Sequence, residues 1–432
     1  MDPCEKTLMT DRKLNVYAND TLMGVITEYT NIWTFQYQLS WVHTRGAFAL
    51  CPDIPLIEEK QVDGSSERPI QHFFDNLLPE ENARILLAKD LGIKDKLDTF
   101  MLLKKSGKES AGALTITSED LSLRERSMTY LTYHELNARI KNLPKSPLNN
   151  QKNKRMSLAG AQHKMLMIMQ GDDIFEPNLS MPSTHILKPE HSVPDDYWQT
   201  TMNEWFIMSL AKAVGLEVPP VRILYTPEPV YIIERFDRQG AFPAHQRVHI
   251  IDACQLLGVD KLAKYPMSNV EIYKKVIEVS RPKGKTIQRL YQWVLFNLLI
   301  GNGDAHLKNL SFYQVGDGSV LSPFYDLLST AIYAPPHDTL NENLSITIGG
   351  KEKFGDVEYA DLVAFAGEIG LPIKVMKKVT STMVRKIERE FDSLFDSVKK
   401  APVNAQKAGA IRMLREIKHK VLIPILNNIS IE

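Results

Sequence analysis

The sequence predicts an α+β fold in two lobes, β-rich at the start and helical at the end. Three observations carry that expectation. Residues 13–50 alternate apolar and polar positions with the two-residue period of a strand meander. From His249 onward, apolar residues recur largely at helical spacing. Within that helical half a long apolar run, Tyr291–Ile300, is broken by Gly301 and Gly303 and leads into Asp304-Ala305-His306-Leu307-Lys308-Asn309. A hairpin pattern follows: Leu310–Val315, a Gly316-Asp317-Gly318 turn, then Ser319–Tyr325, delivering Asp326. Two-lobed kinases use such an arrangement, with one Asp handling the acceptor hydroxyl and an Asn and a second Asp holding Mg²⁺ on the nucleotide phosphates. The expected architecture is therefore protein-kinase-like: a mixed β N-lobe with an extra N-terminal β subdomain, and an α-helical C-lobe.

The early strands are Leu14–Tyr17, Leu22–Ile26 and Phe35–Leu39, ended by Pro52 and Pro55. Residues 69–91 read as helical, with Phe73, Phe74, Leu77 and Leu78 as an apolar stripe and Pro79-Glu80-Glu81 as a fresh helix start. Lys104-Lys105-Ser106-Gly107-Lys108 reads as a basic loop. It invites a phosphate-loop reading but lacks the Walker spacing. Residues 141–155 hold five cations, two prolines and no acid, the pattern of a solvated linker. The main boundary is expected between 120 and 155, giving units of 1–120, 121–240 and 241–432.

Next come the small residues of Ser157–Lys164, which let backbone N–H groups approach an anion, and a strand, Met165–Gln170. Ser183–Leu187 is a strand that ends at Lys188, where kinases place the lysine that meets the α/β-phosphates. A helix is predicted over 203–214, with Asn203 as N-cap and Gly215 as stop. Glu204, in its first turn, is either a partner for Lys188 or a surface acid favoured by the helix dipole. Val221–Tyr225 and Val230–Ile233 form a hairpin that runs into a hinge-like Glu234-Arg235-Phe236-Asp237-Arg238. Val248–Leu257 and Asn269–Val279 read as amphipathic helices and Ile287–Ile300 as a buried one; 356–371, 373–399 and 404–421 are three more.

Each site residue also has a bland reading. Lys188 is a surface lysine, Asp304 a turn residue, Asp326 an N-cap, and His306 a structural histidine. For Lys188, Asp304 and Asp326 the order along the chain favours the joint reading; for His306 the structural reading is the stronger.

Composition narrows the class. The chain has 432 residues, room for two or three domains. Lys+Arg and Asp+Glu are both 52, so the total charge asks for neither nucleic acid nor an anionic membrane. Cys4, Cys51 and Cys254 have no metal spacing and an odd count, which fits a reducing cytoplasm. No apolar run approaches the ~18 residues needed to span a membrane. A cytoplasmic protein is expected.

These residues resemble a known family, the HipA-type toxin serine/threonine kinases of bacterial type II toxin–antitoxin modules. Ser157-Leu158-Ala159-Gly160-Ala161-Gln162-His163-Lys164 is similar to the family's S-[IL]-A-G-A-Q-x-K loop, and Thr184–Lys188 to its T-H-I-[IL]-K strand. Asn203-Glu204 through Pro219, Glu234–Arg238 and Ser322–Asp326 match further motifs in order. Gly303–Asn309 is similar to T-D-x-H-x-K-N, with Gly303 in place of Thr. Phe73–Glu80 and Gly112-Ala113-Leu114 fit the family's N-terminal subdomain.

The resemblance implies ATP and Mg²⁺ as cofactors. It makes Asp304 the base, Asn309 and Asp326 the metal ligands, and Lys188 the phosphate clamp. The phosphate loop would be Ala159, Gly160, Ala161, Gln162, His163 and Lys164. Glu234, Arg235 and Phe236 would form the hinge, with His306, Leu307, Lys308 and Tyr325 completing the nucleotide site. It further implies inactivation by autophosphorylation at Ser157, a translation-related substrate such as an aminoacyl-tRNA synthetase, and growth arrest or persistence. The implied partner is a helix-turn-helix antitoxin, HipB-like, which makes most of the contact with operator DNA. The alternatives are a catalytically weak, antitoxin-bound co-repressor and a small-molecule phosphotransferase.

Overall fold

The computed structural model describes residues 12–120, 127–143, 163–177, 181–315, 318–335, 338–402 and 407–430. Ser157, Ala159, Gly160, Ala161 and Gln162 lie outside the described residues, as do most of the linker and the Gly316-Asp317 turn.

The meander forms. Strands β1 (Arg12–Ala18), β2 (Thr21–Tyr29), β3 (Ile32–Tyr37), β4 (Gln61–Val62) and β5 (Leu114–Thr117) make one antiparallel sheet in the order β4-β3-β2-β1-β5. Its buried face, including Leu14, Val16, Ile26, Trp33 and Phe35, packs on Phe73, Phe74 and Phe100. The helical stretch 69–91 is two helices, Pro69–Asp75 and Glu81–Asp90, with the break at Pro79. Lys104 and Lys105 are not in a loop: they sit on the helix Thr99–Ser106. Lys108 is buried against Glu119 at 2.9 Å, so the basic stretch is structural.

The second sheet contains β6 (Met128–Leu131), β7 (Met165–Gln170), β8 (Asp173–Pro177), β9 (His185–Pro189), β10 (Val221–Tyr225) and β11 (Pro229–Glu234), in the order β10-β11-β9-β7-β8-β6. Leu187 enters a small core with Met165, Met167, Val230 and Ile232. Side chains alternate across a strand, so Lys188 must face the other way, toward the helix Thr200–Val214. That helix starts earlier than predicted. Asn203 is not its cap but lies one turn in, where its side chain donates to Ser329 O at 2.8 Å and to Tyr333 Oη at 3.0 Å.

The C-lobe is helical, with one correction. Residues 248–257 are not one helix. Ile250–Asp252 is a strand, needed as the third member of a sheet with Ser311–Val315 and Gly318–Leu321. A single helical turn, Ala253–Leu256, follows, capped by Asp252. The buried helix Lys283–Ile300 packs on the long helix Ile373–Lys400, with Tyr291 Oη 2.7 Å from Thr380 Oγ1. Further helices span Tyr359–Glu368 and Lys407–Glu416, the second continuing into a π-helical stretch, Ile417–Leu422. No helix among the described residues is long and apolar enough to cross a membrane.

Candidate active site

The buried helix ends at Gly301, whose φ of +66° an L side chain rarely adopts, and an added Cβ there would lie 2.6 Å from Val421. The chain turns sharply and presents Asp304. At the next bend Gly303 N donates to Thr330 Oγ1 at 2.7 Å, and a Cβ on Gly303 would come within 3.0 Å of Asn343 O. Glycine at this position therefore lets the loop lie close to Thr330 and Asn343.

Asn309 Nδ2 donates to the carbonyl of Asp304 at 2.6 Å, which closes the loop on itself. The Asp304 carboxylate is 44% exposed, and His306 Nε2 is 3.6 Å from it. His306 is itself buried. Burial pushes its pKa down, favouring the neutral imidazole, and its Nδ1 has no hydrogen-bond partner. Tyr265, a residue the sequence reading passed over, donates its hydroxyl to Asp304 Oδ1.

Opposite stands Lys188. Its Nζ is 2.7 Å from Glu204 Oε1 and also donates to Asp326. One cation thus holds two carboxylates, one from the helix Thr200–Val214 and one from the segment after the hairpin of Ser311–Val315 and Gly318–Leu321. Asp326 sits in left-handed backbone, φ +59°, a conformation tolerated by Asp and held here by this contact. Burial alone would raise its carboxyl, but Lys188 and Lys164 outweigh burial and hold it at about 2. Burial lowers the Lys188 ammonium, but Asp326 and Glu204 more than reverse that and raise it. Glu204 is the weaker acid of the two: burial and the charge on Asp326 push it up to about 7. Lys164 is pushed down to about 8 by burial and by Lys188.

Glu204 therefore titrates where activity is normally measured. Below about 7 it binds a proton and loses its charge attraction for Lys188; above about 7 the ion pair is complete. The kcat/KM for nucleotide is expected to rise with pH through this region, because that quantity reports ionisations of the free enzyme. In Glu204→Gln the inflection should vanish. A profile that keeps it in the variant assigns the ionisation elsewhere.

Not every residue named from sequence points into this space. Lys164, Lys188, Glu234, Phe236, Asp304, His306, Asn309, Tyr325 and Asp326 line one cleft of about 1460 Å³. Phe236 stacks on Tyr325 at 5.5 Å between centroids, forming an aromatic wall near the hinge. His163 is half-buried, its pKa pushed down by burial and by His191. Leu307 is fully buried in the main core. Lys308 also lines the cleft, but its ammonium is committed to Asp252 at 3.0 Å, Asn76 Oδ1 at 2.8 Å and Glu80 at 3.4 Å. It ties the N-terminal part of the chain, through Asn76 and Glu80, to the Asp304–Asn309 loop.

Arg235 is likewise committed. Its guanidinium holds Asp237 at 2.6 Å, Ser183 Oγ at 3.0 Å and Ser110 O at 3.0 Å, all buried. Its backbone N–H donates to Thr184 O at 2.9 Å, so its carbonyl is what remains to serve the hinge. Glu109, Arg238 and Gly112 complete this buried junction, with Gly112 N donating to Asp237 at 2.7 Å. The sequence reading weighed Glu204 without choosing it and missed Tyr265, Asp252 and the roles of Asn76 and Glu80. The Phe73–Glu80 motif carried a signal for the last two.

Comparison with known proteins identifies the family. Residues 156–391 match the HipA-like C-terminal domain and residues 14–117 the HipA N-terminal domain. The chain is 32% identical over 430 residues to the Y4mE protein of Sinorhizobium fredii, covering 94% of this chain and 99% of that one. It is 30% identical over 397 residues to the serine/threonine-protein kinase toxin HipA of Shewanella oneidensis, covering 87% of each. Its fold matches the HipA of a Shewanella oneidensis complex of HipA, HipB and operator DNA with a TM-score of 0.80, at 26% identity over 96% of this chain and 97% of that one. A two-lobed, kinase-like fold with the phosphotransfer residue types gathered in its cleft, and both family domains in order, place the chain in the HipA family of serine/threonine-protein kinase toxins.

Proposed function

We propose that the protein transfers the γ-phosphate of ATP to a serine or threonine of a translation-related protein, an aminoacyl-tRNA synthetase by analogy with the family, and so arrests growth. The observation that carries the reading is Lys188 holding both Glu204 and Asp326 on one wall of the cleft that also presents Asp304. Asp304 accepts the acceptor hydroxyl's proton. Lys188 is released by Asp326 toward the phosphates and steadied by Glu204. Phe236 and Tyr325 offer an apolar wall to the base. Catalysis is then positioning and electrostatics, with little covalent work for the protein.

Asn309 and Asp326 offer one amide and one carboxylate oxygen donor set, which suits Mg²⁺. That ion is commonly held by one or two carboxylates plus the nucleotide's own phosphates and waters. Among the described residues no group of three or more His, Cys, Asp or Glu side chains gathers to hold a metal. When bound, Mg²⁺ would neutralise phosphate charge as transfer proceeds.

The cleft, about 1460 Å³, exceeds the roughly 300–1,000 Å³ of single small-ligand sites, which gives room for a nucleotide and a second substrate together. We take residues 1–120, 121–240 and 241–432 as the three working units. The Shewanella oneidensis relative is found with HipB and operator DNA; by analogy this chain pairs with a helix-turn-helix antitoxin that makes most of the DNA contact. Ser157 is the proposed self-phosphorylation site. A phosphate there would add nearly two negative charges beside the place meant for those of ATP.

The test is label transfer from γ-³²P-ATP into a cell extract. Labelled protein bands that appear with the wild type and not with Asp326→Ala support the reading, and Ser157→Ala should lose self-labelling at that site. Label appearing only in small molecules would instead favour the small-molecule phosphotransferase. An unlabelled extract together with no ATP consumption would favour the idle co-repressor.

A further inference from the structure

Tyr265 lies on the turn after Lys261–Lys264, 39 residues before Asp304 in sequence, yet its hydroxyl donates to Asp304 Oδ1. A general base must lie within hydrogen-bond reach of the proton it removes. By that criterion the Tyr265 oxygen already sits where an acceptor oxygen belongs. We propose that Tyr265 is itself a phosphorylation site, modified within the same molecule by the Asp304 transfer centre. The proposal rests on the reading of Asp304 as the base.

Three further features support it. The ring is held in place, edge-on to His306 at 4.8 Å between centroids, with Lys264 Nζ 5.1 Å from its centre. Lys264 is in turn anchored to Glu80 at 2.8 Å, so the turn is tied down from the N-terminal subdomain. Tyr265 is nevertheless 45% exposed and lines the cleft, so nucleotide and product have room. Three other hydroxyls of the cleft are engaged elsewhere: Tyr325 with Lys308 O, Tyr333 with Asn203, and Thr330 with Gly303 N. A tyrosine side chain is long, so it reaches the base from the wall without its backbone entering the cleft.

In the step, the phenol oxygen forms a bond to the γ-phosphorus of ATP. The bond from that phosphorus to the β,γ-bridging oxygen breaks, ADP leaves with the electron pair, and the phenol proton passes to Asp304. The product carries nearly two negative charges beside the Asp304 carboxylate. Once Asp304 has released that proton, like-charge repulsion drives the ring off the base and opens the acceptor position.

The experiment is phosphopeptide mass spectrometry on the full chain incubated with Mg²⁺ and ATP and no other acceptor. Phosphotyrosine at 265 is expected, accumulating at a rate independent of protein concentration. It should disappear in Tyr265→Phe, which keeps the ring, and fall at least roughly a hundredfold in Asp304→Asn. Phosphate on other residues with none on Tyr265 overturns this proposal and leaves the kinase reading standing. A rate that climbs with protein concentration overturns the intramolecular geometry. No phosphate on any residue and no ATP consumption overturns both.

Discussion

Asp304→Asn is expected to slow phosphoryl transfer by roughly two to four orders of magnitude, the usual contribution of a positioned general base. The substitution keeps the size of the side chain while removing its charge and its capacity to take a proton. Asp304 is 44% exposed and lies outside the Lys188 ion cluster, so the fold and the nucleotide site should be unaffected. Initial rates of label transfer, set beside calorimetric nucleotide affinity, separate the two effects. A large fall in rate at unchanged affinity is the expected pattern. An undiminished rate would remove Asp304 from the role of base.

The second large effect is structural. Arg235→Leu is expected to cost about 3–5 kcal/mol of stability, the range for breaking one side of a buried ion pair. Asp237 would keep Arg238 at 3.1 Å and Gly112 N, but it would lose its closest cation. Arg235 holds Asp237 low against the opposing pull of burial, and that support disappears with it. The folded-state carboxyl lies below its unfolded value. This stabilisation is therefore complete above the ordinary carboxylate pKa and fades as pH falls through the folded one. The variant should thus lose most at neutral pH. Denaturant midpoints measured beside nucleotide KM decide the matter. Had Arg235 been a direct nucleotide contact, KM would move and the midpoint would hold.

Arg235 shows how much of the site can be read in a linear motif. Glu234-Arg235-Phe236-Asp237-Arg238 is legible as a unit, and its place at the end of β11 follows from the strand pattern before it. The pleat then sends adjacent side chains to opposite sides: Glu234 is exposed, while Arg235 is buried. A motif names neighbours in sequence without naming the face each one takes. Leu307 and Lys308 repeat the lesson inside the Asp304–Asn309 loop. One fills the core, and the other binds Asp252, Asn76 and Glu80.

Two helix expectations failed for related reasons. Asn203 has the chemistry of an N-cap, but burial against Ser329 and Tyr333 draws it one turn into the helix. Residues 248–257 have helical apolar spacing, but a strand partner at Ser311–Tyr313 claims Ile250–Asp252. Long-range pairing overrides local periodicity where the two conflict.

By itself the sequence determined what is local. The strand meander, the glycine-broken helix end, the Asp304–Asn309 spacing and the hairpin to Asp326 all follow from side-chain period and turn chemistry within short windows. Only the tertiary structure decided partners. Lys188 meets Glu204 across 16 residues and Asp326 across 138, and Tyr265 meets Asp304 across 39. Such choices depend on which charges and hydroxyls the folded chain buries together, because a buried polar group must find its partner wherever packing leaves one.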